Sequence, residues 1–234
     1  MGAFQGFPEA GLKLLRGLAE HNEKAWFDAH KDDYEALLVE PAKAFVADAG
    51  ARLQKLARSI HFEPRVNGSI SRPQRDIRFA KDKTPYKAHL DLWFWQGEKK
   101  TWERSGFFFR LGPDALILGA GIHHFTPELL KRYRGAVVGP KGNTLSRILR
   151  ELDVAGGYEV GGRTMKKVPR GFEAGEERAE LLLHTGLYVV RETPPPPKLH
   201  GPAFLDHAVA HWEAMVPIHD WLTRLGIPSP EALQ

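Results

Sequence analysis

Apolar side chains change their period part-way along this chain, and that change limits what it can fold into. As far as residue 60 they recur at three- and four-residue spacing, as in helices that bury one face. Pro8 and Glu9 suit the first turn of a helix, and Leu12, Leu15, Leu18 and Ala19 follow at helical spacing up to His21-Asn22. In EKAWFDAHKDDYEALL, Trp26, His30 and Tyr34 fall at i, i+4 and i+8, flanked by Phe27, Leu37 and Leu38. This predicts a second helix with an aromatic stripe and a histidine inside it. Pro41 restarts a third through Phe45, Val46, Leu53 and Leu56.

After Pro64 the period shortens. Segments 89–95 (HLDLWFW), 105–111 (SGFFFRL) and 115–121 (ALILGAG) are short, aromatic or β-branched, and separated by turn residues at Gly97 and Gly112-Pro113-Asp114, which predicts an antiparallel meander. Thr126-Pro127-Glu128 opens a helix over 127–138, and 144–152 forms another. Glycines 156, 157, 161 and 162 bracket a short extended piece. A helix at 176–184, a strand at 186–192, a stiff Pro194–Pro197 spacer and two closing helices near 202–214 and 217–225 complete the chain. The expectation is one α+β domain over residues 1–234, with N-terminal helices packed on a mainly antiparallel sheet and C-terminal helices beyond it.

Composition excludes several classes of chemistry. The chain has no Cys, so disulfides, thiolate metal sites and a cysteine nucleophile are ruled out. There is no basic leader followed by an apolar core and no run of about 18 apolar residues, so a soluble cytoplasmic chain without a membrane partner is expected. HExxH, Walker and GxSxG patterns are missing. His207 and His211 stand four apart without a companion glutamate, and no metal or cofactor is expected. GAG at 119–121 lacks the third glycine of a dinucleotide loop and is expected to form a tight turn. Trp93 and Trp95 alternate with Leu92 and Phe94, the pattern of a central strand covered on both faces. The alternative is a stacking platform for bases beside Lys99, Lys100 and Arg104.

Charge is concentrated in one place. Residues 72–87, RPQRDIRFAKDKTPYK, hold Arg72, Arg75, Arg78, Lys81, Lys83 and Lys87 against Asp76 and Asp82, so six minus two gives +4, the net charge of the entire chain. Read as a strand, Arg75, Ile77 and Phe79 share one face, which would put Arg75 among core residues in need of a carboxylate or a bound anion. Lys81-Asp82-Lys83 reads as a turn, and Thr84-Pro85 as the cap of a short helical turn carrying Tyr86 and Lys87. Strand, cationic turn and helix start together suit a phosphate or carboxylate. Solvated basic residues on a strand edge and an internal ion-pair network are the alternatives.

NEKAWFDAHKDDYE (22–35), SISRPQRDIRFAKDKTPYK (69–87), GFFFRL (106–111), GAGI (119–122) and KKVPRGF (166–172) resemble a mostly bacterial family known as domain of unknown function family 2461. By position, Arg72, Arg75, Asp76, Arg78, Lys81, Asp82, Lys83, Tyr86 and Lys87 match its signature, as do Trp26, Phe27, His30 and Lys31. The chain departs from the pattern at Ala80, where a serine is usual, at Ala120 within the glycine turn, and at His184, where a lysine is usual. A hydroxyl at 80 and an amine at 184 are thus poor candidates for essential chemistry. The resemblance implies that the basic block acts as a unit and carries no reaction with it.

Three functions fit these residues. The first is binding of a small phosphorylated or carboxylated ligand by Arg72, Arg75, Arg78, Lys81, Lys83, Tyr86 and Lys87. The second is a metal-independent enzyme acting on an anionic substrate, with arginines stabilising charge and His30 or Asp76 handling protons. The third is nucleic-acid binding, with Lys99, Lys100, Lys166, Lys167 and Arg170 added to the same cations. Oligomeric state leaves no signature.

Overall fold

The computed structural model describes residues 2–98, 100–173 and 175–226. It is an α+β protein whose six strands form one antiparallel sheet in the order β1-β2-β3-β4-β6-β5. The strands are β1 (Ile60–His61), β2 (Leu90–Gln96), β3 (Gly106–Leu111), β4 (Leu116–Ile122), β5 (Glu159–Arg163) and β6 (His184–Thr193). The expected meander is β2-β3-β4. The chain divides into two compact units: one formed by the residues up to Phe94, Phe108–Leu118 and Glu192–His211, the other by Trp95–Phe107, Gly119–Arg191 and the residues from Trp212.

The first unit is built on helices. Pro8 precedes α1 (Glu9–Glu20) with extended backbone, Glu9 sits in its first turn, and the helix buries Leu14, Leu15 and Leu18. The second predicted helix is broken. α2 (Lys24–Ala29) ends at His30, whose backbone leaves the helical region at φ −115° and ψ 15°, and α3 (Lys31–Tyr34) runs on through a π-helical turn, Glu35–Val39, into α4 (Glu40–Leu56). Pro41 has no N–H to donate to residue 37, and the wider turn carries the chain across that gap. The break shifts the helical phase, so Phe27 and Tyr34 are buried while Trp26 and His30 are half-buried, and the expected single stripe does not form. Phe4, Phe7, Phe45, Phe109 and Phe204 assemble the core, with the Phe7 ring stacked 5.6 Å from Phe109 and Phe45 5.4 Å from it.

In the second unit, Thr126 caps α5 (Pro127–Val138) by accepting the Leu129 N–H at 3.2 Å, as its sequence predicts. α6 (Pro140–Ala155) and the short α7 (Glu176–Leu181) pack with α5. Tyr133 is fully buried and donates its hydroxyl to the Leu181 carbonyl at 2.9 Å. GAG lies inside β4 and makes no turn. Gly121 has φ +138°, and a Cβ there would stand 2.5 Å from the Tyr188 Cα of β6, so the glycine permits a close strand approach. The two predicted closing helices are one, α8 (Ala203–Gly226), because Pro217 removes a single backbone bond without ending the helix. Trp93 and Trp95 are buried, as a strand covered on both faces requires.

Candidate functional site

The basic segment forms neither a strand nor a helix start. Only an antiparallel bridge between Gln74 and Tyr86 closes its base, with the Arg75 N–H on the Pro85 carbonyl and the Lys87 N–H on the Pro73 carbonyl, both at 2.8 Å. Pro73 and Pro85 flank the bridge and have no N–H to extend the ladder. Residues 75–85 are therefore an excursion from a pinned base. The pin is Tyr86, 7% exposed, whose ring stacks on Phe27 of α2 at 4.2 Å and 15°. Asn22, between α1 and α2, reads both backbone groups of Tyr86: its amide donates to the Tyr86 carbonyl and its carbonyl accepts the Tyr86 N–H, each at 2.9 Å. Replacing Asn22 with Ala leaves both half-buried groups without that partner, and a loss of about 2 kcal/mol in chemical denaturation is expected. A change within error would mean that water substitutes for the amide.

Within the excursion the arginines are neutralised at home. Arg75 is half-buried and pairs with Asp82 at 2.5 Å, while the same nitrogen donates to the Thr84 hydroxyl. Asp82 also accepts the Thr84 N–H at 2.9 Å, and that bond followed by the Arg75 contact holds its carboxyl down at about 2. Arg78 meets Asp76 with two parallel bonds, Nε to Oδ1 at 2.9 Å and Nη2 to Oδ2 at 2.6 Å. This pairing first, and the Arg78 N–H second, hold the Asp76 carboxyl at about 2 as well, which makes Asp76 a very weak base at neutral pH. The expected placement of Arg75 and Phe79 in a core is overturned, because a loop with local acids satisfies its arginines without burial. Phe79 is 95% exposed at the tip, with the Arg78 guanidinium 6.0 Å from its ring centre.

The remaining cations separate. Lys83 donates to the Ile77 carbonyl at 2.9 Å and braces the tip. Arg72 and Lys81 are exposed and, among the described residues, have no carboxylate within ion-pair distance, although Arg72 adds to the field that lowers Asp76. Lys87 leaves the loop for Asp91, 3.6 Å away at the start of β2. Asp91 also receives Arg110 at 2.7 Å and His89 at 3.3 Å. Burial by itself pushes the Asp91 carboxyl up, but His89 and Arg110 outweigh it and hold the group down at about 2.

The His30 ring is engaged within its own helix. Its ring stacks on Trp26 at 4.0 Å and its Nδ1 lies 2.8 Å from the Trp26 carbonyl, and among the described residues the imidazole makes no hydrogen bond or ring contact with residues 72–87. His207 and His211 meet edge to face at 4.7 Å, and no cluster of three metal-ligating side chains occurs among the described residues. Lys99 lies outside the described residues. Asn22 and Asp91 are the site residues that sequence reasoning missed. A lone acid inside HLDLWFW and an Asn at a helix break were the available signals.

An antiparallel sheet with flanking helices and a cationic loop pinned by Asn22 and Tyr86 defines an α+β protein with a projecting basic loop. The chain belongs to the family described as conserved hypothetical protein (DUF2461), whose model matches residues 10–221, nearly all of the chain. No curated protein matches it. Among the described residues no helix is long and apolar enough to cross a membrane.

Proposed function

We propose that the 72–87 loop docks onto single-stranded nucleic acid, with Phe79 stacking on a base and Arg72, Lys81 and Lys83 facing phosphates. The observation that carries this reading is Phe79, 95% exposed at the tip of a cationic loop that holds its own shape. An aromatic ring in water beside cations that have no carboxylate partner among the described residues suits a partner that offers stacked rings and phosphates at once. Arg75 and Arg78 then serve to rigidify the loop, since each is already matched to a carboxylate. A small phosphorylated or carboxylated ligand is the second reading. It is supported by charge arithmetic: two of the six cations are spent on Asp76 and Asp82 and Lys87 on Asp91, which leaves three with no carboxylate partner among the described residues.

Fluorescence anisotropy with a single-stranded oligonucleotide separates the two. Three phosphate contacts predict a slope of log affinity against log salt of roughly −2. Phe79→Ala is expected to weaken binding by about 1–3 kcal/mol, the loss of one stacked base. A mononucleotide that competes as well as the oligomer, or an unaffected Phe79→Ala, would return the loop to small-anion binding.

A further inference from the structure

A different cluster lies in the second unit. The Ser105 hydroxyl, just before β3, is 2.9 Å from Nδ1 of His219 on α8, and the far nitrogen of that ring faces the Gln96 side-chain oxygen at 3.3 Å. An amide oxygen only accepts, so Nε2 carries the ring proton and Nδ1 presents its lone pair to the Ser105 hydroxyl. The ring cannot easily turn away, because Phe107 stacks against it at 4.6 Å. Ser105 and His219 are each 1% exposed, and burial pushes the imidazole pKa down to about 4, which leaves Nδ1 free of a proton at neutral pH but lowers its basicity, so the imidazolium must be offset by the oxyanion that forms beside it. Ser105 and Gln96 also line a cavity of about 520 Å³, with Arg104 beside them and Ile122, Leu129 and Leu222 as apolar wall. A hydroxyl donated to a neutral imidazole that a third group orients is the arrangement of an activated nucleophile.

We propose that Ser105, activated by His219 and oriented through Gln96, is the nucleophile of an acyl-transfer site that takes a small ester or thioester into this cavity. In the first step the Ser105 oxygen bonds to the acyl carbon as its proton passes to His219 Nδ1. The bond to the leaving alcohol or thiol then breaks, and that group takes the proton from His219. Water, deprotonated by the same nitrogen, then bonds to the acyl carbon, the bond from that carbon to the Ser105 oxygen breaks, and the serine oxygen takes the proton back from His219 as the acid leaves. Arg104 supplies positive charge for the oxyanion of each tetrahedral stage, and the apolar wall receives the acyl chain. No GxSxG elbow is needed, since a nucleophile is recognised by geometry and role.

A fluorophosphonate probe tests the assignment on the intact protein. The Ser105 oxygen bonds to phosphorus, the phosphorus–fluorine bond breaks, fluoride leaves and His219 takes the hydroxyl proton. The expected result is one adduct, mapped to Ser105 by peptide mass spectrometry on the folded protein and missing from the urea-unfolded chain. His219→Gln is expected to slow labelling on the order of a hundredfold. A folded wild type that does not react, reacts elsewhere, or reacts no faster than the unfolded chain would overturn the proposal. Because that comparison uses only the wild type, it decides the question even if His219→Gln fails to fold.

Discussion

Acidification from pH 7 to pH 4 is expected to cost the folded protein about 3 kcal/mol through His219 alone. The imidazole is 1% exposed, and its pKa falls from an ordinary 6.5 to about 4 because burial penalises the charged ring. Between those two values the unfolded chain binds a proton that the folded chain refuses, so stability rises with pH across the window. It is fully present above 6.5, declines as pH falls towards 4, and changes no further through this group once the folded ring is protonated. Urea denaturation at intervals from pH 7 to 4 measures the slope. His219→Gln removes the titrating group, so its curve is expected to be flatter by the same amount. His184 is also pushed down by burial and contributes in the same direction to both proteins, so the difference between them isolates His219. Parallel curves for the two proteins would show that water reaches the ring.

Asp91 is the second position at which a single change has a large effect. One carboxylate with a fifth of its side-chain surface exposed holds Arg110, His89 and Lys87, so Asp91→Ala leaves three nitrogen groups facing each other without a counter-charge. A loss of about 2 kcal/mol is expected, less than for a fully buried pair because the Arg110 side chain is half exposed to screening water. Tyr34 gives an independent readout. Burial raises its hydroxyl pKa first and the Asp91 charge raises it further, so the tyrosine titration is expected to move down in the variant. A loss below about 1 kcal/mol with an unchanged titration would place Asp91 with surface pairs that contribute little.

The sequence made the α+β class legible because helical spacing gives way to short alternating segments after residue 60 and returns with its own caps after residue 125, and local rules decided most elements. Thr126 caps α5 and Pro8-Glu9 opens α1 with no help from distant residues. The failures came where distant contacts decide. Nothing near Gly121 says that a neighbouring strand passes within 2.5 Å of where its Cβ would be, so GAG reads locally as a turn. Strand alternation over residues 75–79 puts Arg75 and Phe79 on a buried face, but the chain there follows the charges: Asp82 and Asp76 take the arginines, and Phe79 is left in water. The basic block could be located from its composition. Its anchor at Asn22 and the pairing of Ser105 with His219 join residues dozens of positions apart in sequence and carry no local mark, and Asp91, though only four residues beyond Lys87, is read as a strand residue until Arg110 of the next strand is seen to pair with it.

The pinned base of the loop has a practical consequence. Asn22, the stack of Tyr86 on Phe27, and the two local ion pairs hold its shape from below, so the outermost residues bear none of that load. The chain is free of cysteine, and Lys81 is exposed next to the tip. Ala80→Cys, between Phe79 and that lysine, therefore puts a unique thiol where a fluorophore can ride on the loop while the proposed phosphate contacts stay in place, and whatever approaches the tip announces itself as a change in emission.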